Sequence, residues 1–205
     1  MTAYEPQPLE INLLLRHPAA MAQVIPFEDH ALARLRARCA AAEEANQDLL
    51  AFARGHSGAV QSIHQAVLTA LEAPSFDALL HVVTQEWPLI LRIDAVALAL
   101  VVGERGFRVD SGGAQLMDAA VLNRSLAQVD GVILRGVERG HPLFGPACDL
   151  IRAEALIRLP GDLPAGLLAL GQWTQPSLDD RHGSELLMFL GRSLSSMIAR
   201  WAGEI

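Results

Sequence analysis

Apolar residues return along the stretch Leu32–Ala70 at alternating spacings of three and four. One set of seam positions is Leu32, Cys39, Asn46, Ala53, Val60 and Val67; the other is Leu35, Ala42, Leu49, His56, Ile63 and Ala70. That repeat predicts a long helix burying one narrow stripe. Asn46 on a seam fixes register at some cost in stability, and Arg38 and Glu43 fall at g and following e positions, where opposite charges attract across a parallel pair. Two readings stay open. The stripe pairs with a second chain, or it packs on the chain's own domain. Gly55 and Gly58 each weaken a helix by roughly 1 kcal/mol against Ala. They would divide it into Asp29–Arg54 and Ala59–Glu72 if they broke it.

Downstream the pattern changes period several times. Ser75 is placed to cap a helix reaching about Trp87, with Phe76, Leu79, Leu80, Val83 and Trp87 on its apolar face and Pro88 ending or kinking it. Ala95–Val102 (AVALALVV) is a short apolar run suited to a central strand covered on both faces. Gly103–Gly106 turns the chain into a returning strand, Phe107–Asp110. Ser111–Gly113 reads as a loop, Asp118–Gln128 as a helix, Gly131–Leu134 as a strand and Gly140–Pro146 as irregular. Cys148–Arg152 reads equally as a helical turn or a strand entry. Ala153–Leu159 and Ala165–Trp173, around Pro160-Gly161-Asp162-Leu163-Pro164, form the clearest hairpin. Ser177-x-x-Asp180 matches a capping box opening a final helix with Leu186, Leu187, Leu190, Leu194, Met197, Ile198 and Trp201 on one face. At the other end, Leu9–Arg16 reads as a short helix stopped near His17-Pro18.

Composition narrows the function classes. Of the 205 residues 51% are apolar and 19% charged, enough to bury one sizeable core. The net charge of −7 argues against general affinity for nucleic acid or anionic membrane. Arg34, Arg36 and Arg38 are soon followed by Glu43, Glu44 and Asp48, as on a solvated helix face. Two distant cysteines, Cys39 and Cys148, exclude a disulfide framework and fit a reducing cytoplasm. No basic start followed by an apolar core marks a signal peptide, and no apolar run is long enough to span a bilayer. Chemistry is sparse. There is no nucleophile elbow, no phosphate-binding glycine loop and no lysine. The histidines lack ligand spacing, so no metal site is expected. His182-Gly183-Ser184-Glu185 reads as a helix's first turn, Cys148 as a buried structural thiol and Cys39 as a small seam residue.

The order of elements resembles the GAF/PAS group of sensor domains. Within it the chain is similar to a bacterial GAF-like family known only as domain of unknown function 484. The residues carrying the match are LLLRHPAAM (Leu13–Met21), EEANQDLLAFARGHSGAVQSIHQAVLTALEA (Glu43–Ala73) and RIDAVALAL (Arg92–Leu100). ALIRLP, GLLALGQW and HGSELLMFLGRSLSSMIARW, between Ala155 and Trp201, complete it. The chain departs from that pattern where Pro26 runs almost straight into the heptad helix, and at Gln172, where Ser is common. The resemblance implies an α+β fold: a GAF-like antiparallel sheet flanked by helices, with an N-terminal helical extension containing the heptad helix. The expected divisions are residues 1–27 as tail and short helix, 28–73 as heptad region and 74–205 as GAF-like domain.

A ligand pocket would lie over the sheet, lined by Phe107, Arg135, His141, Phe144 and Cys148. Arg135 would meet an anion and Phe144 would stack on a planar group. The cyclic-nucleotide signature of some GAF domains is absent, and a bilin-linking Cys is usually followed by His, where Asp149 stands here. No pattern names a cofactor. The expected function is a non-enzymatic regulatory or sensor domain, a homodimer with a seam of Leu32, Leu35, Cys39, Asn46, Leu49, Val60 and Ile63. A small-molecule ligand and a protein partner are not identified by the sequence. Two rivals stand beside it: an interaction module without ligand, which a filled core over the sheet would favour, and an enzyme of unrecognised chemistry.

Overall fold

The computed structural model describes residues 27–161, 165–174 and 180–201. By internal contacts the chain divides into two compact units, Met1–Leu50 and Ala51–Ile205. The Leu9–Arg16 helix and the Ser177 cap lie outside the described residues.

Helix α1 runs unbroken over Phe27–Leu71. Gly55 and Gly58 do not divide it, because two isolated glycines cost propensity without removing a backbone hydrogen bond. Its seam has two fates. Every residue from His30 to Ala59 is exposed, whereas Ile63, Ala66 and Ala70 are buried.

Ser75 caps α2 (Phe76–His81), its hydroxyl accepting from the Ala78 N–H at 3.1 Å. The expected single helix to Trp87 is three pieces: α2, a π turn at Val82–Glu86 and α3 (Trp87–Leu91). Pro88 therefore does not end the helix. It sits in the first turn of α3, just past the π turn, where a missing N–H is tolerated.

Six antiparallel strands form one sheet in the order β3-β2-β1-β6-β5-β4. They are β1 (Ala95–Val102), β2 (Arg105–Asp110), β3 (Gly113–Met117), β4 (Val132–Gly136), β5 (Ala153–Leu159) and β6 (Ala165–Gln172). Strand β3 replaces part of the expected loop after Asp110; its side chains are mostly exposed, so it carries no apolar signal. Helix α4 (Ala119–Gln128) is capped by Asp118, which accepts from the Ala120 N–H at 2.8 Å. The stretch expected to be irregular forms a 3-10 segment, Pro142–Asp149, broken at Gly145. Helix α5 (Asp180–Ala199) ends the described chain apart from Arg200 and Trp201.

Alternation along β1 and β6 sends residues to two cores. Val96, Leu98, Leu100, Leu168 and Leu170 meet α1, α2, the π turn, α3 and α5 through residues such as Ile63, Ala66, Leu79, Val83, Trp87, Leu190, Leu194 and Ile198. The Trp87 indole N–H donates to the Ala66 carbonyl at 3.0 Å, so the largest buried ring has its polar atom paired. Ala97, Ala99, Leu156, Leu167 and Ala169 point the other way, to α4 and the 3-10 segment. Burial on both faces is what the AVALALVV run requires.

Candidate functional site

The second face is where a pocket was expected, and its geometry grows from one buried carboxylate. Glu154, in the register pair with Arg135, is 1% exposed. Its Oε1 accepts from Arg135 Nε at 2.9 Å and Nη2 at 2.7 Å, while Oε2 accepts from the His141 backbone N–H at 2.6 Å. One side chain thus joins β4, β5 and the start of the 3-10 segment. A buried charge with this set of donors is satisfied, so the arrangement reads as a clamp.

His141 continues it. Its Nδ1 accepts from the Leu143 N–H at 3.2 Å, capping the 3-10 segment, which requires that nitrogen to be unprotonated. Burial pushes the imidazole pKa below its usual value; the Glu154 carboxylate opposes this and the Arg135 cation adds to it.

The clamp holds Phe144 down on the sheet. Leu143 and Phe144 are buried, and a Cβ added to Gly171 would meet Ile151 at 2.5 Å and the Phe144 ring at 2.9 Å. The space directly over β6 is therefore filled. Cys148 is buried beside Arg139, whose Nη2 lies 3.5 Å from its Sγ and whose Nε pairs with Asp149 at 2.7 Å.

Arg135, His141, Phe144 and Cys148 thus share one face, although Arg135 has half its side chain in solvent. Phe107 does not join them. It pairs with Leu100, whose side chain belongs to the α1/α5 core, so strand alternation directs Phe107 to the opposite face. Its neighbour Arg108 takes the expected place instead. Arg108 lies opposite Ala99, pairs with Asp110 at 3.3 Å, donates to Gln115 and packs against Gly145. Gly145 has φ +55, and a Cβ there would lie 2.8 Å from the guanidinium, so both backbone and space call for glycine. Neither Arg108 nor Glu154 belongs to a motif. Glu154 is marked in the sequence only as a charge inside an apolar strand, and Arg108 lies in the mixed strand RGFRVD, where it carries no such signal.

One open space lies at the sheet's end. A cavity of about 300 Å³ is lined by Asp94, Asp110, Gln115, Phe144 and Trp173, among others. Of the seam residues, Leu32, Leu35, Cys39, Asn46 and Leu49 are exposed and Val60 is half-buried. Ile63 is 6% exposed within its own chain's core, which removes it from any seam offered to a second copy.

The sequence matches the family described as "Protein of unknown function, DUF484" over residues 9–203. The chain belongs to the DUF484 family. No curated protein matches it. Its fold is that of GAF domains. The GAF domain from a phosphoenolpyruvate-protein phosphotransferase of Coxiella burnetii is 13% identical, with TM-score 0.55 over 73% of this chain and 97% of that one. Free methionine-R-sulfoxide reductase from Neisseria meningitidis, in complex with its substrate, is 18% identical, with TM-score 0.52 over 70% and 89%. The chromophore-binding domain of Stigmatella aurantiaca bacteriophytochrome is 17% identical, with TM-score 0.50 over 67% of this chain and 59% of that one. At these identities the likeness is one of fold; a chromophore-binding domain and a reductase both use it. Among the described residues no helix of this DUF484 protein is long and apolar enough to cross a membrane.

Proposed function

We propose that this DUF484 protein is a non-enzymatic GAF-type regulatory module that works by association through α1, as a homodimer. One observation carries the reading: the seam from Leu32 to Leu49 is fully helical yet unburied, with Leu32 45%, Leu35 56% and Leu49 67% exposed. A long helix in water owes most of its stability to packing, and a second copy of the same seam supplies it. The filled space over β6 supports this interaction reading above a ligand in the expected place. The Leu35→Asp/Leu49→Asp variant should be monomeric by light scattering and lose helical signal from α1 while the Ala51–Ile205 unit still unfolds cooperatively, and Asn46→Lys should weaken association. Wild type that stays monomeric across micromolar concentrations would sink the proposal.

A small-molecule ligand is the second reading, favoured by the cavity beside Phe144 and Trp173. Two of the solved neighbours are described with a substrate or as chromophore-binding. A native mass spectrum of the purified protein checks it. An added mass lost on denaturation supports a ligand, and bare polypeptide mass speaks for the interaction module.

A further inference from the structure

A second open space lies on the α1/α5 side of the sheet, away from the clamp. It is a groove of about 700 Å³ between the Arg54–Gln65 part of α1, the Leu89–Ile93 connection and Leu187 and Leu190 of α5, floored by Leu170. Along α1 the groove is about 17 Å long. Its floor is aliphatic, from Ile63, Ile93, Leu170 and Leu190. Gly55 and Gly58 leave its helical wall bare, since a Cβ added at either would meet nothing within 4 Å.

Charge in the groove has one sign. Among the described residues Arg54 and Arg92 line it and no carboxylate does, in a chain of net charge −7. Among the described residues neither arginine takes part in an ion pair. Arg92 also holds a left-handed backbone, φ 56 and ψ 48, at the end of α3. For a non-glycine residue that conformation carries strain, and such strain collects at binding sites.

From an apolar trough with two unneutralised guanidinium groups, we infer that the groove binds an amphipathic organic anion: a long-chain carboxylate, its tail over Leu170 and its head met by Arg54 and Arg92. The volume lies within the usual range for such sites, and guanidinium is the side-chain group suited to a carboxylate. Nothing in this inference depends on the dimer or on the cavity beside Phe144.

The test is titration of the full chain with the fluorescent long-chain carboxylate cis-parinaric acid, beside its methyl ester. Saturable binding of the acid is expected, with the ester weaker by about tenfold. Gly58→Leu fills the trough from a position with room for a side chain and should abolish binding while the circular dichroism melt stays cooperative. Arg92→Gly suits the left-handed backbone, so it should weaken acid binding without lowering the melting temperature. Absence of saturable binding, or equal affinity of acid and ester, overturns the inference. So does unchanged affinity in Gly58→Leu, or an acidic amphipathic helical peptide that binds there and is not displaced by the acid.

Discussion

The two faces of the sheet are closed in different ways. On one, Ile63, Leu79, Trp87, Leu190 and Leu194 come from regular helices, whose backbone groups are paired within each helix. The apolar stripe is all such a face needs. On the other, part of the cover is the 3-10 segment, kinked at Gly145, whose entry N–H at His141 is paired by a side chain. That face therefore contains Glu154, a buried charge whose second oxygen accepts from a backbone N–H with no partner in a ladder. Regular structure can be packed by hydrophobicity alone. Irregular structure has to be tied down by a polar group, and the tie becomes the point of weakness.

The contrast can be broken first on the helical side. Trp87→Ala removes a fully buried ring and its bond to Ala66, and should lower stability by about 3–5 kcal/mol, read as a shifted denaturant midpoint in one cooperative transition. A shift under about 1 kcal/mol would mean that this face is not the stabilising core.

Glu154→Ala should come next, at about 2–3 kcal/mol, because the His141 N–H loses its acceptor inside the protein while Arg135 can turn to solvent. Its signature is local. Hydrogen exchange should rise across residues 140–150 and stay slow at Ile63–Ala70; uniform acceleration would refute a separate clamp.

The smallest effect is on pH. The folded-state pKa of His141 is lowered, so the neutral imidazole is favoured by folding. Its contribution is complete above the ordinary value of about 6.5 and is lost as pH falls through the lower folded value. Wild type should lose stability on acidification through that window, and His141→Asn, which keeps an acceptor near the Leu143 N–H, should lose less. Identical pH profiles would show that the imidazole proton plays no part.

Legibility followed the same division. The hairpin at residues 153–172, the AVALALVV strand and the cap at Ser75 were readable because each rests on neighbours within a few positions. The candidate site was half readable. Arg135, His141, Phe144 and Cys148 do come to one face, but Phe107 went to the other because the β1–β2 register sets its side against Leu100. Strand β3 was missed for lack of apolar alternation, and the 3-10 segment for lack of any period.

By itself the sequence determined the α+β class, the place of most elements, the heptad stripe of α1 and the family, all of which depend on local pattern and period. Only the tertiary structure decided which part of one uniform heptad repeat is buried. Val60 to Ala70 has the sheet and α5 to pack on, and the residues from His30 to Ala59 remain open to solvent. It also decided that Phe144 and Ile151 occupy the space over β6, beside the segment that Glu154 ties down at His141. Burial depends on what a residue meets across the fold, and that meeting is set by strand register and chain crossing, which the seam's own spacing does not encode.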